Sequence, residues 1–455
     1  LQALVPSFNF PRATIGDGTD HIRPATLRGL APDQTLLLVN GKRRHTSALV
    51  NVNGFVGRGA VSIDLNAIPG SAIGRIEVLR DGASAQYGSD AIAGVLNVVL
   101  DRTMGYGLNA TYGFTKEGDG IVREASAYYG APLGKDGFIY TSIFSRNRGG
   151  TNRSQPDTRQ QYFGRVTATG GLNTLNGNFG SGLNPVNATY TLDAREASFP
   201  RLNHWQGDSE TRDGGIFLNA EMPVDAGVTA YLFGGSTKRD GKSAGFFRRA
   251  GDDRTVRALY PNGFLPKINS DITDDSLGGG LKGKAGAWNW DVSSVWGANE
   301  FGFTITDTAN ATLGASSPTR FHAGRLKFGE LVNNLDFTGS VEGSFASGMA
   351  GFRVGVHYMN KDGSYKNQAN TSQTLGDQQT KTVTLMLTAE PTDNFTAKLF
   401  ALHSADDDGP STQGMLSAYE VRSNNGITNV PLLSGNRSEE HTSELQSRET
   451  ISYAV

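Results

Sequence analysis

The sequence of 455 residues contains no cysteine, so it forms no disulfide and offers no thiol nucleophile. It also has no run approaching the roughly 20 apolar residues of a membrane-spanning helix, which excludes a helical membrane protein. The formal net charge is only −2 at pH 7, and without a concentrated basic surface we expect no nucleic-acid partner. A chain without cysteine fits both an envelope protein and a reduced cytosolic protein, so the compartment stays open at this point.

The sequence also lacks a zinc-protease motif, a complete phosphate-binding loop and a complete calcium loop. H-E-x-x-H does not occur, and Gly130–Lys135 is one residue short of a phosphate-binding loop. Three adjacent aspartates, Asp406, Asp407 and Asp408, lack the alternating ligands and the distant glutamate of a calcium loop. We therefore expect no enzyme activity, no catalytic residue, no cofactor and no bound metal.

Residues 73–100 are the most informative segment that is present. Ile76 and Val78 alternate with charged neighbours, and an apolar run ends the segment, so both of its ends predict β-strands. Small residues and glycines lie between the two runs and permit tight turns and close approach of the backbone. Further upstream, Asn40-Gly41 follows a β-rich run and predicts a two-residue hairpin with two positive-φ positions.

The segment RIEVLRDGASAQYGSDAIAGVLN resembles the end of the plug domain of TonB-dependent outer-membrane receptors. The resemblance extends upstream through LRG at 27–29 and QTLLLVNG at 34–41, and it covers roughly residues 7–101. This chain departs from the family pattern by Asp81 before the glycine and by Leu96 where isoleucine is common. The alternative is a soluble α/β domain that uses the same hairpins. The positions that match the plug motif are Gly29, Gly41, Gly82, Tyr87, Gly88 and Gly94.

Beyond Arg102, strand-like segments alternate with short and long connectors. The long, polar connectors lie at 149–213, 240–275, 300–333 and 362–379. This asymmetry is typical of outer-membrane barrels, whereas such long connectors are uncommon in a compact sandwich, the alternative fold. We predict eleven strands, at about residues 107–115, 121–131, 137–148, 214–222, 228–239, 276–285, 287–299, 334–343, 350–361, 380–390 and 394–404.

The predicted fold is an all-β transmembrane barrel with an N-terminal α+β plug domain inside its lumen. A lumen wide enough for a plug of about 100 residues corresponds to roughly 22 strands, so about 11 strands make an incomplete wall. We assign residues 1–102 to the plug domain, truncated at its N-terminus, and residues 103–436 to the N-terminal part of the barrel. Residues 437–455, RSEEHTSELQSRETISYAV, look like the translation of a sequencing adapter, and we expect them to be an artefact.

The resemblance implies energy-coupled import rather than catalysis. A scarce ligand, a ferric siderophore or another iron complex, would bind between loops and plug, and TonB of the inner membrane would rearrange the plug. No signal peptide opens the chain, and the resemblance places both it and the TonB-binding segment upstream of Leu1. The implied location is the outer membrane of a Gram-negative bacterium, with outer-membrane lipid around the wall. An importer of carbohydrate or another nutrient and a non-transporting barrel or adhesin remain alternatives.

The resemblance also implies two sets of site residues. The first set would pair with the wall and hold the plug in register, or would instead face the watery lumen; its members are Arg28, Arg75, Glu77 and Arg80. The second set would contact the ligand from the plug apices or the long loops, although its loop aromatics would serve equally well to pack the loops. Its members are His45, Phe55, Tyr162, Trp205, Phe246 and Tyr260.

Overall fold

A computed structural model of the protein describes residues 5, 7–52, 57–80, 87, 89–166, 168, 169, 190–252, 254–286, 288–341, 348–361, 365, 366, 374, 375, 378–392 and 395–406. Within these residues the chain forms 21 strands in five sheets, together with six short 3₁₀-helices. No helix of the described part is long and apolar enough to cross a membrane. The predicted tail at 437–455 lies outside the described residues.

The strands are numbered along the chain. The first six are β1 (Phe8–Asn9), β2 (Thr26–Leu27), β3 (Thr35–Val39), β4 (Lys42–Arg43), β5 (Ile73–Leu79) and β6 (Gly94–Leu100). The others are β7 (Gly105–Gly113), β8 (Val122–Leu133), β9 (Gly137–Arg148), β10 (Arg165–Val166), β11 (Tyr190–Thr191), β12 (Glu210–Asp225), β13 (Val228–Ala244), β14 (Lys267–Ala285), β15 (Trp288–Thr306), β16 (Arg320–Val341), β17 (Gly348–Lys361), β18 (Tyr365–Lys366), β19 (Thr374–Leu375), β20 (Gln378–Thr392) and β21 (Phe395–Asp406). The 3₁₀-helices are Pro32–Gln34, Leu65–Ala67, Gly70–Ala72, Ser89–Ala91, Ala194–Ser198 and Ala311–Ser316.

A four-stranded sheet in the order β4-β3-β6-β5 organises the described residues between 7 and 101, which we call the amino-terminal body. Strand β3 is parallel to β6, and all five of its residues are buried, as expected for a continuous apolar run in a sheet covered on both faces. The predicted hairpin at Asn40-Gly41 is confirmed, because both residues have positive φ, 50° and 81°, and the chain returns directly into β4.

A second sheet of eleven antiparallel strands, which we call the wall, has the order β7-β8-β9-β12-β13-β14-β15-β16-β17-β20-β21. Neighbours in this sheet are also neighbours along the chain once the short loop strands are set aside. Short turns join the strands at one end of the wall, the turn end, and long connectors join them at the other, the loop end. The eleven predicted strands are therefore confirmed.

Several wall strands extend further at the loop end than predicted. Strand β13 continues to Ala244 rather than 239, and β14 begins at Lys267 rather than 276. The predicted strand ends were placed where the period-two alternation of apolar and polar residues stops, because this alternation is the pattern of a strand with one solvent-exposed face. At the loop end of β14 the outer face is polar and the inner face mixes Ile272 with Asp274, so the alternation is lost while the hydrogen-bonded ladder continues.

The outer face of the wall, opposite the amino-terminal body, changes character along the strands. Leu277, Trp296 and Leu331 are paired across β14, β15 and β16, and they expose 51%, 46% and 38% of their surface. Four residues closer to the loop end, the same three strands present a paired row of Thr273, Glu300 and Lys327. An exposed apolar band is therefore followed directly by a charged one.

The inner face of the wall packs against the amino-terminal body. Their shared apolar core joins residues of β3 and β6, such as Leu37 and Leu96, to Phe217, Phe233 and Val295 of the wall. The hydroxyl of Tyr140 in β9 donates a hydrogen bond to the backbone carbonyl of Ser71 at the edge of this core. The body is thus held by the wall through buried contacts, and the polar groups at the same contact form the candidate site.

Candidate functional site

One deeply buried charged cluster at the contact centres on Arg239 of β13, whose side chain is 6% exposed. Its Nε donates to Asp213 Oδ1 of the neighbouring wall strand at 2.9 Å, and its Nη1 donates to the carbonyl of His21 at 3.0 Å. The same guanidinium forms an ion pair with Asp64 of the amino-terminal body. Asp64 also caps the 3₁₀-helix Leu65–Ala67, because its side chain accepts from the backbone N–H of Asn66. Arg239 of the wall therefore binds the amino-terminal body at two points, the carbonyl of His21 and the carboxylate of Asp64.

A second cluster lies on the next strand, around the buried carboxylate of Asp274 in β14. Arg44 of the body forms an ion pair with Asp274 and donates to Ser276 Oγ at 2.6 Å. His45 Nε2 lies 3.2 Å from Asp274 Oδ2, and Asn299 Nδ2 donates to the same oxygen at 2.9 Å. Both oxygens of this carboxylate have partners, Oδ1 in Arg44 and Oδ2 in Asn299 and His45. The cost of burying its charge is therefore compensated.

The amino-terminal body and the wall approach each other closely beside this second cluster. A Cβ atom on Gly297 of β15 would lie 2.1 Å from His45 Nδ1, so the wall needs glycine here to admit the imidazole. Asn299 Oδ1, two residues on, accepts from the backbone N–H of Ala48 at 2.8 Å. Backbone and side-chain contacts thus fix this part of the body against β15.

A third cluster lies towards the turn end and uses lysine. Lys42 Nζ of β4 contacts Asp291 Oδ1 at 2.8 Å and Asp336 Oδ2 at 3.2 Å, on two neighbouring wall strands. Tyr231 donates its hydroxyl to the same Asp291 oxygen at 2.7 Å. Lys42, Arg44 and Asp64 are therefore three of the body's charged contacts to the wall, and sequence reasoning missed all three. For Lys42 and Arg44 the signal was a basic run straight after the Asn-Gly turn, which is matched by aspartates in wall strands.

The predicted register residues lie elsewhere on the body. Arg75 Nε donates to Glu77 Oε1 at 2.8 Å, and the two side chains are exposed. The hydrogen bond that Asn97 donates lowers the pKa of Glu77. Arg28 Nη1 donates to the carbonyl of Arg80 at 3.2 Å. Among the described residues none of these hydrogen bonds reaches the wall, so the pairing of this set with the wall stays a prediction.

The motif glycines that the structure describes adopt the backbone conformations that glycine favours. Gly29, Gly41 and Gly94 have φ of 74°, 81° and 140°. Tyr87 packs against the small cluster of Leu36, Leu38, Ala91 and Val95. Gly82 and Gly88 lie outside the described residues.

The predicted ligand-contacting aromatics are mostly occupied in packing the long loops. Tyr162 is buried, its ring meets Phe199 edge-on at 5.8 Å, and its hydroxyl donates to Asn262 Oδ1 at 3.0 Å, which joins the first long loop to the second. Trp205 donates its Nε1–H to the carbonyl of Thr151 at 2.7 Å. Tyr162 therefore packs the first long loop against the second, and Trp205 packs within the first.

The remaining candidates differ in exposure. Tyr260 donates to the carbonyl of Thr308 at 3.2 Å, and burial raises the pKa of its hydroxyl. Phe246 has 56% of its surface exposed and is free to meet a ligand. His45 is buried against Asp274, and Phe55 lies outside the described residues. Contact of this set with a ligand remains a prediction.

The described residues hold no group of three or more His, Cys, Asp or Glu side chains suited to a metal ion. One short sequence, G-K-S-A-G at 241–245, matches the pattern of a nucleophile elbow. Its Ser243 lies inside β13, however, on extended backbone rather than at a strand-to-helix turn. The geometry therefore offers no anchor for nucleophilic catalysis at this serine.

Replacing Asp274 by Asn should lower the free energy of unfolding by about 2 kcal/mol, a magnitude typical of hydrogen bonds to charged groups. The amide keeps the size of the side chain but removes the charge that faces Arg44. Urea unfolding of the chain in detergent micelles measures the change. Asp275→Asn, on the outer face of the same strand, is the matched control and should cost no more than about 0.5 kcal/mol. Equal losses in both variants would contradict a specific role of the cluster.

Comparison with known proteins agrees with this architecture. Residues 1–95 match the family model described as TonB-dependent Receptor Plug Domain. The ferric enterobactin receptor PirA of Pseudomonas aeruginosa is 29% identical over 203 residues, which are 42% of this chain and 26% of that protein. The vitamin B12 transporter BtuB of Vibrio cholerae is 30% identical over 153 residues, which are 33% of this chain and 23% of that protein. The matched part thus spans about a quarter of each relative.

A solved structure shares the fold. A mutant of the ferric enterobactin receptor PfeA from Pseudomonas aeruginosa superposes with a TM-score of 0.55 and 12% identity, covering 89% of this chain and 54% of that one. At this level of identity the likeness supports the arrangement of plug and wall. It carries no information about the ligand.

Proposed function

We propose that this chain, which belongs to the TonB-dependent receptors by its plug domain, takes part in energy-coupled import of a ferric siderophore across the outer membrane of a Gram-negative bacterium. In this proposal residues 1–102 are the plug and residues 103–436 belong to the barrel wall. The observation that carries it is a separate sheet held against the inner face of a long-stranded wall by buried ion pairs. A passive barrel or adhesin has no use for such a plug.

The outer face of the wall supports a membrane position. The paired row of Leu277, Trp296 and Leu331 is exposed although it is apolar, as expected for a surface covered by lipid. The charged row that includes Glu300 and Lys327 would then lie at the headgroups or beyond them. The strands continue past this row towards the loops, so the loop end would project from the membrane.

Import by this machine makes and breaks no covalent bond in the ligand. The work is mechanical, because the plug must rearrange while the wall keeps its shape. Ion pairs such as Arg44 with Asp274 are suited to this, since they hold the plug in one register and can be rehydrated when force separates them. We also retain Arg28, Arg75, Glu77 and Arg80 as proposed register residues of the plug.

The ligand class is tested by direct binding. Ferric enterobactin should quench the tryptophan fluorescence of the chain in detergent micelles in a saturable way. Phe246→Ala should weaken this binding about fivefold or more, because an exposed aromatic anchor contributes about 1 kcal/mol or more. Leu313→Ala, which removes a comparably exposed apolar side chain of another loop, is the matched control.

The same assay separates the alternatives. Saturable binding of cobalamin or a maltodextrin, without binding of ferric enterobactin, would be consistent with an importer but would contradict a siderophore as its ligand. Binding of none of these probes would contradict the siderophore proposal, as would induction of the gene by a sugar polymer rather than by iron limitation.

A further inference from the structure

We propose that the contact between the plug and the wall contains a binding site for one small monovalent anion of the chloride class, enclosed by plug residues 12–23 and strands β9, β12 and β13. The cavity has a volume of about 10 Å³, which is space for a single water-sized species. Its lining is dominated by guanidinium groups, from Arg12, Arg23, Arg146, Arg148 and Arg239. The site is separate from the loop aromatics and from the Asp274 cluster.

The charges around the cavity do not balance. Asp20 and Asp213 belong to the lining, while Asp208 and Asp64 pair with two of the arginines from outside it. Five guanidinium groups are therefore matched by four carboxylates, which leaves one positive charge in excess. A single monovalent anion inside the cavity would neutralise this excess charge.

Two of the arginines have no carboxylate hydrogen-bonded to them within the described residues. Arg23 donates through Nε and Nη2 to the carbonyl of Phe10 at 3.1 and 2.8 Å. Arg148 donates to the carbonyl and the hydroxyl of Ser209 at 3.2 to 3.3 Å. Neutral oxygens satisfy the geometry of these donors, while carboxylates such as Asp208 act on their charge without a direct hydrogen bond.

His21 is a second, independent observation that points to an occupant of the cavity. The side chain is fully buried and lines the cavity, yet neither ring nitrogen has a hydrogen-bond partner in the protein. Its ring lies against Gly241 of β13, where a Cβ atom would come within 2.6 Å of it. Burial lowers the pKa of His21, so the ring is neutral and offers one N–H to an occupant.

One feature of the lining favours water instead. Asp20 Oδ2 has no partner, and a carboxylate oxygen prefers a donor. Asp20 Oδ1 already accepts from the backbone N–H of Gly18 at 3.1 Å and lies 3.9 Å from His21 Nε2. The excess of arginine outweighs this single oxygen, and water is the competing occupant that the experiment must separate from an anion.

The direct test is crystallography of the chain grown with bromide in place of chloride. One anomalous peak is expected in the cavity, within hydrogen-bond distance of His21 and Arg148. Its absence from a structure that shows the same cavity, or ordinary water density there without anomalous signal, would overturn the proposal.

Stability provides the second test in solution. At constant ionic strength, once the anion exceeds its dissociation constant, a tenfold rise in chloride over gluconate should raise the folded-to-unfolded ratio about tenfold. Arg148→Gln should remove this dependence, and Arg148→Lys should keep part of it. Arg123→Gln, an exposed arginine on β8, is the matched control and should keep the full dependence. A dependence that survives in Arg148→Gln, or that is absent from the parent chain, would overturn the proposal.

Discussion

Replacing Arg239 by Met should lower the free energy of unfolding by about 3–5 kcal/mol, the cost of removing one partner from a buried ion pair. Asp213 would keep its ion pair with Arg146, but Asp64 would lose its only cation among the described contacts. The uncompensated carboxylate lies at the plug's contact with β13, so the plug should also detach more readily. Urea unfolding in detergent micelles and protease sensitivity of the plug measure both effects.

The control for Arg239 lies next to it in the sequence. Lys238 is exposed on the other face of β13, so Lys238→Met removes the same charge without burying a carboxylate. A double variant of Arg239→Met with Asp64→Asn should lose less than the two single losses added together, because the second change neutralises the group left unpaired. If Arg239→Met costs no more than Lys238→Met, the buried pair does not hold the plug.

Replacing Gly94 by Ala should cost about 3 kcal/mol, from backbone strain and overpacking of about 1–3 kcal/mol each. Gly94 has a φ of 140°, and its Cβ would lie 2.5 Å from both the carbonyl oxygen of Leu79 and Leu27 Cδ2. The leucine side chain can move, but the carbonyl belongs to β5, the neighbour of β6 in the plug sheet. Relief of the clash therefore has to shift that strand, which thermal unfolding should report.

Gly105 separates strain from crowding. It also has positive φ, 94°, but a Cβ there would have nothing within 4 Å. Gly105→Ala should therefore carry only the strain and lose clearly less stability than Gly94→Ala. Equal losses would show that close packing at Gly94 contributes nothing.

The plug and the wall strands were predictable because their signals are local. The hairpin turn at Asn40-Gly41 follows from two residues and their φ angles, and the wall strands follow from alternation between turn signals. Prediction failed at the loop ends of β13 and β14, where the hydrogen-bonded ladder outlasts the alternation. The order of the strands in the wall is simple, because each wall strand pairs with its neighbour along the chain.

The candidate site was less predictable for a different reason. Sequence reasoning chose charged residues within the plug motif, whereas the described wall is met by Lys42, Arg44 and Asp64. It also offered the loop aromatics as ligand contacts, and Tyr162 instead packs one loop against another. In both cases the residue types suited the predicted roles. The direction of each side chain, however, depends on partners far along the chain.

The sequence by itself determined the plug and the eleven wall strands, since glycine positions, turn dipeptides and strand periodicity act over a few residues. Only the tertiary structure decided which charges meet. Arg239 and Asp64 are 175 positions apart, and Lys42 and Asp336 are 294 apart. Such pairs depend on how the plug sits against the wall, because one residue of slip in a strand turns its side chains to the opposite face.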